Sequence, residues 1–149
     1  MDANVWRNFK EVRTDVREFF AVYAAAGDGD PAASADLFCD PFLNLDPVSA
    51  GTVTRAQFTA SLPMRARMFS SIGAEGTDLI ELSEQPIDEQ HTLVRTAWAI
   101  RFADTAAEPL TLRSSFLLHR AAVGWRIAAY INHLDLDTVI RARNVPGGE

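Results

Sequence analysis

The chain has 149 residues, a length that suits one domain, and a formal net charge of -6, which argues against general attraction to nucleic acid or anionic lipid. At 48% hydrophobic and 23% charged residues, it is composed like a globular protein that can bury a core without staples. Cys39 is the only cysteine, which excludes an intrachain disulfide and thiolate metal sites.

Asp2, Arg7, Lys10 and Glu11 interrupt any apolar signal-peptide core, and the longest apolar run, 19–26, is far too short to span a bilayer. A cytoplasmic protein with no membrane contact is expected. The first predicted element is a long helix. Val5, Phe9, Val12, Val16, Phe19, Phe20 and Tyr23 recur at steps of three and four and form one apolar face. Asp2 or Asn4 can cap its start, and Gly27 can stop it. Asp30-Pro31 pairs an N-cap residue with proline at the first helical position, so a short second helix through Leu37 and Phe38 should end before Asp40-Pro41.

Phe42 to Asp46 alternates as a short strand, 47–51 is a turn cluster, and Thr52-Val53 starts a return strand. Thr54 and Gln57 make a capping box, with Val53 and Phe58 as its hydrophobic staple, so a third helix starts there. Pro63 should kink or restart that helix. Phe58, Leu62, Met68, Phe69 and Ile72 give it an inward side, and Gly73 ends it.

The period then changes to two. The runs 77–85, 92–102, 110–120 and 125–134 read as strands of an antiparallel meander with short links. Their inward sets are Val94, Thr96, Trp98, Ile100 and Phe102; then Leu110, Leu112, Ser114, Phe116 and Leu118; then Trp125, Ile127, Ala129, Ile131 and His133. The opposite face carries Ala97, Ala99, Leu117, Ala128 and Tyr130 rimmed by arginines, which suits a homodimer interface. After Asp135 a short final helix is expected, giving one domain over 1–143 and a loose tail over 144–149. Helices followed by a long meander make the fold α+β, with helices on one face of a twisted sheet. An apolar pocket should lie between the first helix and the sheet, lined by Phe19, Phe20, Tyr23, Trp98, Phe116 and Ile131. The inward hydroxyls of Thr96 and Ser114 can orient a ligand there, or bond to backbone.

This order of elements resembles the nuclear transport factor 2-like superfamily, which includes the SnoaL-like and ketosteroid isomerase-like proteins. The resemblance covers roughly residues 5–136. It rests on Ala26-Gly27-Asp28 followed by Ala35-Asp36-Leu37-Phe38-Cys39-Asp40, on the turn Leu45-Asp46-Pro47-Val48, on Gly51 before a capped helix, and on Gly124-Trp125-Arg126-Ile127. It implies a cystatin-like α+β cone, a curved antiparallel or mixed sheet of five or six strands whose concave face is covered by three helices from the N-terminal half. Isomerases, cyclases, dehydratases and non-catalytic binding or assembly domains share that fold, so it does not fix the function.

In ketosteroid isomerase-like members the aspartate of the matching Asp-Pro turn is a general base, which here would be Asp46, its pKa raised by a dry pocket. The plain alternative is that Asp46 caps the turn before Pro47. The positions matching the oxyanion-hole tyrosine and its partner acid fall near Phe20 and Phe116, which donate no hydrogen bond. Tyr23, one turn on, could substitute. His133 could serve as an acid or base beside Asp46, or simply be bonded at a strand end. No histidine pair has metal-ligand spacing, and no phosphate-binding glycine loop is present, so neither metal nor cofactor is called for. Two readings remain open. One is a cofactor-free isomerase-, cyclase- or dehydratase-type enzyme acting on a small apolar molecule. The other is a non-catalytic module that binds such a molecule or only dimerises.

Overall fold

The computed structural model describes residues 12–28 and 31–144. The first eleven residues, with the expected caps Asp2 and Asn4 and the helical positions Val5 and Phe9, lie outside the described residues, as do Asp30 and 145–149. Among the described residues, helix α1 spans Thr14–Asp28 and a 3-10 helix spans Pro31–Leu37. Strands β1 (Phe38–Leu45) and β2 (Ala50–Val53) form a hairpin that leads into α2 (Arg55–Ser71). The meander β3 (Ala74–Pro86), β4 (His91–Phe102), β5 (Thr111–Ala121) and β6 (Gly124–Asn132) follows, and α3 (Leu136–Arg143) closes the chain. The result is an α+β cone around one curved, unclosed sheet of six strands in the order β2-β1-β6-β5-β4-β3. The sheet is mixed because β1 pairs in parallel with β6. No helix among the described residues is long and apolar enough to cross a membrane.

Local chemistry sets most boundaries. Thr54 Oγ1 accepts from the Gln57 amide at 3.1 Å while Gln57 Oε1 accepts from the Thr54 amide at 2.9 Å, closing the capping box at the start of α2. Gly73 ends α2 at φ +79, a conformation that costs other residues a Cβ clash. The helix runs unbroken through Pro63, with neither the restart nor a new cap that the proline suggested. The short second helix does end before Asp40-Pro41, at Leu37 and as a 3-10 helix, one residue short of the expected Phe38. The strand begins at Phe38 and passes through the proline, and its register against β6 shifts between Phe38 and Leu43. Proline has no N–H to give the ladder, so it sits at an irregular stretch.

The core lies between the helices and the concave face. Val16 and Phe20 of α1 are fully buried against Val94, Phe116, Leu118 and Ile127 of the sheet. Phe20 meets Phe116 edge to face at 5.0 Å between centroids, and Phe38 packs at 4.4 Å from Phe42 and 4.7 Å from Phe58. Such aromatic pairs add about 0.5–1.5 kcal/mol each beyond burial.

A bulge changes the parity of β6. Phe116 pairs with Tyr130 and Leu117 with Ala129, but Leu118 pairs with Ile127, so Ala128 is an extra residue between the two registers. Trp125 and Ile127 face inward as expected. Beyond the bulge every side chain is on the opposite face from the one alternation assigns. Tyr130 and Asn132, opposite the inward Phe116 and Ser114, turn into the cone. Ala129, Ile131 and His133 turn out of it.

Candidate functional site

A cavity of about 330 Å³ lies between α1, α2 and the widening end of the sheet. Helix α2 supplies Phe58, Leu62, Arg65 and Phe69, whose spacings of four, three and four place them on one side. Tyr23, Ala24 and Gly27 come from α1, one turn apart. The sheet adds Trp98 from β4, Leu112 and Ser114 from β5, and Tyr130 and Asn132 from β6. Thr96 stands just behind this wall. Its Oγ1 accepts from Trp98 Nε1 at 2.8 Å and donates to the Ser114 carbonyl at 3.2 Å, which fixes the indole as cavity lining.

The polar groups of the wall concentrate at one place. Arg65 Nη2 donates to Tyr130 Oη at 3.4 Å, and Tyr23 lines the same wall within electrostatic reach of both. Burial pushes the Tyr23 hydroxyl well above its ordinary pKa, reinforced by Tyr130 and only partly opposed by Arg65, so it stays protonated. Burial works against charge on Arg65, but the phenolic oxygens of Tyr130 and Tyr23 outweigh it and raise its pKa, so it remains a cation. Its guanidinium also lies over the Phe69 ring, 5.6 Å from the centroid. Deeper in, Ser114 Oγ donates to Asn132 Oδ1 at 3.3 Å. Glu75, exposed, is the one carboxylate among the described lining residues.

Of the residues singled out from sequence, the structure brings Tyr23, Trp98 and Ser114 to this wall. Phe19, Phe20 and Phe116 are buried beneath it, with Phe116 stacked flat on Tyr130 at 5.1 Å and 6° and edge-on to Tyr23 at 5.5 Å. Phe20 and Phe116 hold the two tyrosines in place rather than line the void, and Phe19 packs edge-on against Phe20 at 5.2 Å. Ile131 lies on the outer face because of the bulge. His133 does too, with Nε2 at 2.8 Å from Ser115 Oγ, beside a small pit of about 110 Å³ walled by Glu81, Arg95 and Arg113. Burial and the two arginines lower its pKa. Asp46 is not part of the cavity wall. Its Oδ1 accepts from the amides of Val48 at 2.9 Å and Ser49 at 2.8 Å, and its Oδ2 from Ser49 Oγ at 3.0 Å. The Val48 amide, helped by Ser49 and against a smaller burial penalty, holds its pKa below the usual value, the reverse of what a dry pocket would do. Asp46 therefore closes the β1–β2 turn, and among the described residues no hydrogen bond joins its carboxylate to His133.

Sequence reasoning missed Arg65, Tyr130 and Asn132. Arg65 had a readable signal, since it falls on the same helical stripe as Phe58, Leu62 and Phe69, where a charge is out of pattern. Tyr130 and Asn132 had none, because the bulge reverses their parity.

A model of the family described as NTF2-like protein (DUF6841) matches residues 10–135. No curated protein matches the chain. Among solved structures, the chain is similar to an NTF2-like protein with a cystatin-like fold from Novosphingobium aromaticivorans, at 19% identity and a TM-score of 0.64 over 87% of this chain and 86% of that one. It is similar to an NTF2-like protein of unknown function from Shewanella oneidensis, at 11% identity and a TM-score of 0.65 over 80% and 96%. A proposed scytalone dehydratase from N. aromaticivorans superposes with a TM-score of 0.60 at 14% identity, over 79% and 80%. At these identities the likeness shows the fold alone.

Proposed function

Since the chain belongs to the family described as NTF2-like protein (DUF6841), whose fold serves isomerases and dehydratases as well as proteins without known chemistry, we propose that it binds a small, mostly apolar molecule in the cavity between α1, α2 and the sheet. The observation that carries this reading is the wall itself. Aromatic and aliphatic side chains enclose about 330 Å³, and one cluster of donors, Tyr23, Tyr130 and Arg65, can orient a guest. That volume is at the small end of ligand pockets and suits a molecule of one or two rings. Binding without chemistry is the better-supported form. The buried cluster holds a protonated phenol and a cation, neither of which takes up a proton, and Asp46 is committed to its turn.

One observation favours a second reading, acid-base chemistry of the isomerase or dehydratase type. Glu75 shares the wall with hydroxyls that could donate to a developing enolate, so it would be the base. Under that reading Glu75→Gln abolishes turnover and leaves binding intact.

The binding claim is tested by calorimetric titration with naphthylmethanol, a neutral two-ring probe. Saturable binding at one site per chain is expected. Ala24→Phe, which fills the cavity from α1, should remove it while the protein stays folded by circular dichroism. Native protein that takes up neither this probe nor its carboxylate analogue naphthoate, or undiminished binding to the filled variant, would overturn the reading.

A further inference from the structure

We propose that the molecule held in this cavity is an organic anion, a ring-bearing carboxylate, whose charged group docks on Arg65 with the hydroxyls of Tyr130 and Tyr23. The proposal deepens the binding reading above and rests on it. Arg65 occupies the apolar stripe of α2 between Leu62 and Phe69, half-buried, where a helix packed on a core would place an apolar side chain. Among the described residues no carboxylate comes within salt-bridge distance of it, although Arg13, Arg101, Arg113, Arg120 and Arg141 each have one. A guanidinium offers five N–H donors in a planar fork, and among the described residues Arg65 makes a single side-chain hydrogen bond, the long one to Tyr130. Withdrawing a cation from water is costly unless an opposite charge meets it, and two neutral phenols supply only dipoles.

The missing partner is therefore an acceptor with charge. A carboxylate matches the guanidinium fork in two bonds, and the neighbouring hydroxyls of Tyr130 and Tyr23 can donate to the same oxygens. A cationic guest would be repelled by Arg65, and a neutral one would leave its charge unmet. The remaining wall asks for a ring, since Trp98, Leu112, Leu62 and Phe58 surround the rest of the void. Glu75, the one acidic residue among the described lining, disfavours a second negative group on the same guest. The net charge of -6 means that any selectivity for an anion has to come from this local arrangement rather than from the field of the whole protein.

The experiment compares naphthoate with naphthylmethanol, which share the ring system and differ in charge, by calorimetry on the full chain at neutral pH. Naphthoate is expected to bind at least about tenfold more tightly, the scale of one charge-assisted paired contact. Arg65→Met should erase that preference, bringing the two probes to equal affinity when both are measured on the same variant, while Arg65→Lys, which keeps the charge and loses the fork, should retain part of it. Equal affinity of the two probes for the native protein overturns the anion assignment and leaves the pocket reading standing. A preference that survives Arg65→Met overturns the role of Arg65. If neither probe binds the native protein, the pocket reading falls, and this inference with it. The native comparison alone decides the anion question should Arg65→Met fail to fold.

Discussion

Arg13 and Glu84, 71 positions apart, are joined three times: the Arg13 amide donates to Glu84 Oε1 at 2.9 Å, and its Nε and Nη2 both donate to Oε2. Glu84 is 1% exposed and also accepts from Thr92 Oγ1 at 2.7 Å. A carboxylate from β3 thus meets the first backbone donor ahead of α1, where the helix dipole favours negative charge. The contact fixes where α1 begins, and so where Tyr23 reaches the cavity three turns later. Glu84→Gln removes the charge and keeps the shape. Because Arg13 keeps 41% side-chain exposure, the loss should fall below that of a fully buried pair, at about 2 kcal/mol, read from urea unfolding.

The same carboxylate sets a pH dependence. Burial acts to raise the Glu84 pKa, but the bonds from Arg13 and Thr92 outweigh it and leave it lowered. Asp15 behaves alike, with burial outweighed by bonds from Trp125 Nε1, the Val16 amide and Arg120. A depressed folded-state pKa contributes stability that is fully present above the unfolded value and is lost as pH falls through the folded one. The contribution of these two carboxylates should therefore be flat through the neutral range and decline below about pH 4, the ordinary carboxylate range. Glu84→Gln should flatten that acid limb, as followed by thermal melts across pH.

Asp46→Asn tests the turn. It weakens acceptance from the Val48 and Ser49 amides and should cost about 1 kcal/mol, with naphthylmethanol affinity unchanged. A large loss of affinity with unchanged stability would instead place Asp46 at the ligand.

Phe116 is fully buried under both tyrosines. Phe116→Ala should destabilise by about 3–5 kcal/mol, the range for a large aromatic removed from a core. It should also weaken naphthoate binding by releasing Tyr23 and Tyr130, which differential scanning calorimetry and titration would separate.

The outer sheet face is expected to pair two copies of the chain. The bulge adds Ile131 to Leu45, Leu117 and the 45% exposed Leu43 on that side, next to the Arg113–Glu81 ion pair. A self-complementary patch of this kind favours a two-fold pair. Sedimentation equilibrium should find a dimer, and Leu43→Arg should shift it to monomer with the melting temperature nearly unchanged.

The amino-acid order by itself determined the class of fold. Spacing in steps of three and four marks α1, the Thr54/Gln57 box starts α2, Gly73 ends it, and alternation over β4 and β5 assigns Trp98 and Ser114 to the concave face. These are local signals, each legible within a few residues. Only the tertiary structure decided the rest. Whether Ala128 is one residue too many depends on the length of β5 opposite it, so alternation along β6 alone could not put Tyr130 inside and Ile131 and His133 outside. The docking of α2 against the sheet decides that Arg65 is enclosed, because a helix stripe does not say what it faces. Asp46 sits in a turn whose own amides claim its carboxylate, and that claim is a matter of backbone geometry rather than of residue type.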